Sequence, residues 1–300
     1  MKKLSEPSYR RARDFLRAQA RPLERALFAH EFEAAPVRPV LDALAAFRNA
    51  DGGFGGALEP DLRMPASSAL ATATALDVLR ELGADHTEPL VCGAVAWAVE
   101  RFDPEVPGWR YVPADVDAFP HAPHWSWELH RPGGPWDHLV NPGARFLSHL
   151  SHWHQLAPRG LVESLSRAFE KHVMALTSDV GGDSLGYAAQ VENDATRAKL
   201  RELALATVIR DPAAWTSYCA KPLKLAPRPD SPLAECLAPE TALNLDWEID
   251  QQAPDGSWLP NWDWQGHHPE HWELARREWH GELTLGALRS FRAYGRLEPA

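Results

Sequence analysis

The sequence predicts an all-α fold: one domain over residues 1–300, with about twelve helices paired as six hairpins in an (α/α)6 toroid. Three observations predict it. Apolar residues recur at helical spacing, strand-like alternation is missing, and short connections join the helices, too many and too short for a four-helix bundle. An open stack of helix pairs satisfies the same three observations.

Proline, glycine and capping residues set the boundaries. They place helices near 7–19, 22–32, 37–49, 67–83, 88–102, 141–156, 160–176, 184–193, 196–210, 239–252, 270–279 and 281–294. Val37, Val40, Leu41, Leu44 and Phe47 mark one buried stripe. Leu161, Leu165, Ala168, Phe169, His172 and Leu176 mark a second, and Leu285, Leu288 and Phe291 mark the last helix.

The stretch from Asp103 to Asn141 breaks the pattern. Pro104, Pro107, Pro113, Pro120, Pro123, Pro132 and Pro135 exclude a long helix, so this reads as a long loop or lid. It interleaves Trp109, Trp125, Trp127 and Trp136 with His121, His124, His130 and His138, an aromatic content that argues for order. Residues 219–235 have the same proline density without the aromatics and read as a surface connection.

A formal charge of −10, from 41 acidic against 31 basic residues, with no basic stripe, argues against a nucleic-acid partner. No apolar run is long enough to span a membrane, and the basic start lacks the apolar stretch of a secretion signal. Cys92, Cys219 and Cys236 are odd in number and widely spaced, which suits a reducing compartment and a cytoplasmic location.

Near the C-terminus Gln252, Gly256 and Trp258 follow a helix, with Trp247 five residues ahead of the glutamine. A degenerate copy lies at Arg48, Gly52 and Phe54. The spacing resembles the QxxxGxW repeat of the terpenoid cyclases, and similar turns occur in their α/α-toroid relatives, the protein prenyltransferases and the complement-like thioester domains. The resemblance implies that the glutamine amide bonds backbone groups at helix ends while glycine permits the turn. It implies the ring and leaves the reaction open.

Catalytic signatures of that superfamily are incomplete. Asp115 and Asp117 approach the DxDD acid motif without its last aspartate, no Asp-Asp pair exists to hold magnesium, and no Cys, Asp and His set has zinc spacing. No cofactor or metal is therefore expected. His267 and His271 stand four apart, but Pro269 interrupts them, and His149 and His152 read as half-buried packing histidines.

The candidate catalytic carboxylates are Glu59, Asp61, Asp117, Glu128 and Asp263. The candidate ligand-binding residues are Trp125, Trp127, Trp136, Trp262 and His124. Glu59 and Asp61 follow a glycine-rich turn, where they could serve acid–base chemistry or form a salt-bridged loop with Arg63. Three functions fit. The leading one is binding and transformation of an apolar, isoprenoid-like small molecule against aromatic walls, with two alternatives. The second is a carbohydrate-active hydrolase or lyase using paired carboxylates, and the third is a non-catalytic protein-interaction toroid.

Overall fold

The structure, a computed structural model, describes residues 1–106, 108–177, 181–191 and 193–298. Pro107 and Glu192, the latter within the helix expected at 184–193, lie outside the described residues. The fold is all-α. In chain order the helices are α1 Glu6–Gln19, α2 Pro22–Glu33, α3 Arg38–Ala45, α4 Ala69–Glu81, α5 Pro89–Glu100, α6 Trp127–His130 and α7 Gly143–His152. They continue with α8 Arg159–Ala175, α9 Gly182–Ala189, α10 Asp194–Thr207, α11 Pro222–Leu225, α12 Ala238–Asp250 and α13 Pro269–Ala293. Among the described residues no helix is long and apolar enough to cross a membrane.

The chain divides into two compact units. Unit 1 comprises residues 1–43, 204–263 and 269–300. Its α1, α2 and α13 pack together, and α11 packs on α12. Ser5 caps α1 by accepting from the Ser8 N–H, and α1 buries Ala12, Phe15 and Leu16. Glu31 receives the Arg289 guanidinium through both carboxylate oxygens.

Two helices were expected over 270–294, whereas α13 runs unbroken for 25 residues. Pro269 opens it at the first turn, where a missing N–H costs nothing, so His267 stays outside the helix that carries His271. Gly281 does not break the helix. A Cβ there would come within 3.0 Å of the Ala20 side chain, so glycine allows close packing. Residues 219–235, expected as a surface connection, bury Leu225, Ala226, Leu233 and Ala234, and the Leu223 N–H donates to Asn244 Oδ1 of α12 (3.1 Å). The apolar residues between the prolines drive that burial.

Unit 2 comprises residues 44–203 and 264–268. Here α4 packs on α5 and α7, and α7 packs on α8 and α9. The 103–141 segment is folded onto this core. It forms single helical turns at Val116–Ala118 and Pro123–Trp125 as well as α6, and it buries Trp109, Tyr111, Val116 and Trp125. The Trp109 indole donates to the Ala98 carbonyl (2.7 Å), and the Trp136 indole to that of Asn141 (2.7 Å).

Each unit contains one copy of the glycine turn, and the copies share their bonding. In unit 1 the Ser257 N–H donates to Asp255 Oδ1 (3.0 Å) and the Trp258 N–H to Thr284 Oγ1 (3.0 Å). In unit 2 the Gly53 N–H donates to Asp51 Oδ1 (3.1 Å) and the Phe54 N–H to Thr72 Oγ1 (3.0 Å). Gly256 and Gly52 hold φ of +95° and +90°. Gln252 fastens the first turn, its amide donating to the Ser8 and Gly256 carbonyls (2.9 and 3.0 Å). In the second, the Arg48 guanidinium lies over Gly93, where a Cβ would be 2.9 Å from Nη2.

Candidate functional site

The site centres on Asp61 in unit 2. Residues 61–63 pair with 120–122 in one short antiparallel contact: the Ala122 N–H donates to the Asp61 carbonyl (2.8 Å) and the Arg63 N–H to the Pro120 carbonyl (2.9 Å). This pairing sets Asp61 beside the helical turn Pro123–Trp125. The carboxylate is 2% exposed. Its Oδ1 accepts from the indole of the fully buried Trp264 (2.8 Å), and its Oδ2 stands 4.0 Å from His124 Nε2.

His124 turns its edge to Trp125, with centroids 4.7 Å apart, yet keeps 45% of its side chain open. Burial lowers its pKa and His121 adds to the effect, while the Asp61 charge works the other way. The result is an imidazole that is neutral at pH 7, anchored beside a fixed carboxylate, and accessible. Such a group can take a proton and pass it on.

A second cluster adjoins the first through stacked rings. Tyr111 lies on Trp125 at 5.0 Å, and its hydroxyl donates to Asn141 Oδ1 and accepts from Arg145 Nη1 (3.4 Å). Arg145 is 4% exposed, donates to Asp77 and to Thr74 Oγ1 (3.2 Å), and sits 4.5 Å above the Tyr187 ring. His149 Nε2 meets Asp77 Oδ1 at 2.8 Å.

Charges define this cluster. Burial opposes ionisation of Asp77, but the Arg145 charge and the bond from His149 outweigh it and hold the carboxyl at about 2. Burial pushes Tyr111 up to about 12, with Arg145 pulling it down and Glu59 and Asp77 adding to the rise. Asp183 acts electrostatically on both His124 and Tyr187, which ties the two clusters together. Asp77 keeps 31% of its side-chain surface and Tyr187 is half-buried, so both are in part open to solvent.

Of the sequence candidates, Asp61, His124 and Trp125 come together here, Trp136 packs behind them, and half-buried Glu59 lies within electrostatic reach of Tyr111. Asp117 is exposed and ties the segment down, accepting from the Trp127 N–H (2.9 Å) and meeting His121 Nε2 at 3.2 Å. Trp127 is half-buried. Glu128 is exposed and pairs with Arg131 at 2.7 Å. Trp262 and Asp263 belong to unit 1, where Trp262 meets Trp279 edge-on at 5.0 Å and Asp263 is exposed. The Arg63 guanidinium reaches the Pro60 carbonyl (3.5 Å).

Sequence reasoning missed Asp77, Arg145 and Tyr187, and it took His149 for a half-buried packing residue. His149 is 1% exposed and bonded to a carboxylate. The signal was available, since Arg145 and His149 stand four apart on one face of a helix. Among the described residues no group of three or more His, Cys, Asp or Glu side chains could hold a metal ion.

His130 supplies a pH test. It is fully buried with Nε2 3.0 Å from the His124 carbonyl, and its Nδ1 has no partner among the described residues. Burial lowers its pKa to about 4, although the bond to the carbonyl acts the other way. The unfolded chain therefore takes the proton first. The stabilising contribution is intact above about pH 6.5 and lost as pH falls towards 4, amounting to about 3 kcal/mol. Urea unfolding at pH 6.5 and 4 should show this loss, and His130→Phe should remove it; equal pH dependence in the two proteins would refute it.

No protein-family model, curated protein or solved structure matches this chain.

Proposed function

We propose that unit 2 carries an acid–base site for a polyhydroxylated, carbohydrate-like small molecule, acting as a hydrolase or lyase. The observation that supports it is the Asp61–His124 arrangement: a carboxylate fixed by the Trp264 indole, 4.0 Å from a neutral and accessible imidazole. His124 moves the proton, and Asp61 steadies the imidazolium that forms. Tyr187, raised well above the ordinary phenol pKa, stays protonated at neutral pH and donates to a substrate oxygen, while Tyr111 gives its proton to Asn141 Oδ1 and holds the wall behind it. Glu59, which acts electrostatically on Tyr111, and Asp183, which acts on His124 and Tyr187, add acceptors that suit hydroxyl groups.

An isoprenoid-like ligand remains the competing occupant. It needs open aromatic faces, whereas Tyr111, Trp125, Trp136 and His130 cover one another at centroid distances of 4.5–6.0 Å. Those rings hold the 103–141 segment in place, which favours the hydroxylated ligand. For the fold, we propose an α/α toroid related to the terpenoid cyclase and protein prenyltransferase superfamily. The support is the pair of glycine turns with matching bonds.

The test is capture of small molecules from a metabolite extract by the purified protein, followed by mass spectrometry and turnover of what is captured. Hydroxylated compounds should be recovered and converted. Asp61→Asn, which keeps an acceptor for Trp264, and His124→Gln should each lower turnover by about 100-fold while the fold is retained. Recovery of isoprenoids alone, or full activity in both variants, would overturn the proposal.

A further inference from the structure

The tryptophan-rich segment of unit 2 covers unpaired polar atoms with one of its own loops. Trp125 is 8% exposed and His130 fully buried, yet Trp125 Nε1 and His130 Nδ1 have no hydrogen-bond partner among the described residues. Nδ1 of buried His138, whose ring lies 5.8 Å from that of His130, is unpaired in the same way. Other buried indoles are satisfied: those of Trp109, Trp215, Trp258 and Trp264 all donate at 2.7–2.8 Å. An unpaired buried donor is costly enough that native structures rarely keep one without a use.

The two atoms differ in kind. The Trp125 indole can only donate. Nε2 of His130 lies 3.0 Å from the His124 carbonyl and so carries the ring proton of the neutral imidazole, which leaves Nδ1 a bare acceptor. Burial keeps this ring neutral at pH 7, against the pull of the carbonyl bond. A donor and an acceptor on rings 5.7 Å apart suit hydroxyl groups, which accept and donate at once.

Residues 131–138 cover them. The Trp136 ring lies 4.5 Å from that of His130 and 5.8 Å from that of Trp125. The loop that carries it is lightly held. None of residues 131–135 is buried, and Gly133 sits at φ +74° with nothing within 4 Å of a Cβ placed there. The outer tie is an ion pair to α8, where His172 Nε2 meets Asp137 Oδ2 at 2.7 Å with the side chains 35% and 33% exposed. The bond to Asp137 raises the His172 pKa; burial works against the Asp137 charge, but the same bond holds that carboxyl below its ordinary range. A pair this exposed opens readily. Lifting the loop breaks it, together with the Trp136 indole bond to the Asn141 carbonyl, and water can replace both.

We infer that residues 131–138 form a flap that lifts to admit a ligand of the Asp61–His124 site and seats its hydroxyl groups on Trp125 Nε1 and His130 Nδ1. The seat, though not the flap, rests on the hydroxylated-ligand reading above. Trp125 follows His124 directly, and the two rings meet edge to face at 4.7 Å, so a molecule held at the seat lies beside the imidazole that moves the proton. Lifting Trp136 bares a donor and an acceptor rather than a wholly apolar wall, which favours a polyol over an isoprenoid.

Fluorine NMR of the full chain labelled with fluorotryptophan tests both parts at pH 7. Relaxation dispersion should show millisecond exchange for Trp136 and Trp125, assigned through Trp136→Phe and Trp125→Phe, and none for Trp109, whose indole is bonded to the Ala98 carbonyl. His172→Gln should raise the open population by about fivefold. Methyl glycosides of glucose, galactose, mannose and xylose are the ligand probes. At least one should shift Trp125 and Trp136 saturably, and His130→Phe should weaken that binding by about tenfold. Should that variant fail to fold, Trp125→Phe, read through Trp136, decides. Trp136 without exchange, exchange shared by Trp109, or an open population unchanged in His172→Gln would overturn the flap. Saturable binding that leaves Trp125 and Trp136 unmoved, or affinity unchanged in a folded variant, would overturn the seat alone and leave the reading of the Asp61–His124 site standing. No shift with any glycoside also overturns the seat, whereas recovery of isoprenoids alone in the capture experiment overturns the reading itself.

Discussion

Asp77→Ala is expected to destabilise the protein by about 4 kcal/mol, because it leaves the buried Arg145 guanidinium without its counter-charge. Arg145 is 4% exposed and cannot regain its hydration by a small movement, and His149 loses the acceptor for its Nε2 proton. Replacing both charges, as in Asp77→Leu with Arg145→Met, should cost clearly less than the single change, since no charge is then stranded. Urea unfolding at pH 7 reads both. A single-variant loss below about 1 kcal/mol would show that the pair is well solvated. The same carboxyl carries a pH signature. With its pKa held at about 2 against an ordinary 3.8, its contribution is present above about pH 4 and fades as pH falls towards 2.

Gly256→Ala is expected to cost about 3–4 kcal/mol, for two separable reasons. The residue sits at φ +95°, where a side chain is strained by about 1–2 kcal/mol, and a Cβ would lie 2.4 Å from the Arg11 carbonyl carbon and 2.5 Å from its oxygen. Backbone cannot rotate away as a side chain can. Gly83→Ala provides the control: φ is +67° and nothing lies within 4 Å, so it should show the strain alone, about 1 kcal/mol. Thermal unfolding of both variants measures the difference. Equal losses would mean that the turn shifts to admit the methyl group.

Much of the helical layout was legible before any coordinates. Pro7, Pro22 and Pro89 stand at helix starts, and Leu165, Phe169, Leu285, Leu288 and Phe291 are buried as their spacing requires, whereas Val37, expected in a buried stripe, is exposed just before α3. The glycine turn was legible too, down to the Gln252 amide, because one residue type at one φ leaves few alternatives. The division of α13 into two helices was misread: Gly281 signals a break locally, while its packing against Ala20 favours continuity.

The site was half legible. Asp61 and His124 stood out as a carboxylate after a glycine turn and a histidine among tryptophans, and both local settings hold in the structure. Their meeting depends on the pairing of residues 61–63 with 120–122, about 60 positions apart, for which neither segment carries a mark. Asp77 and Arg145 show the same dependence more strongly. Periodicity and turn chemistry are local properties and are written along the chain. Which charges end up opposite one another depends on long-range packing, where desolvation and Coulomb attraction act across elements that the sequence keeps far apart.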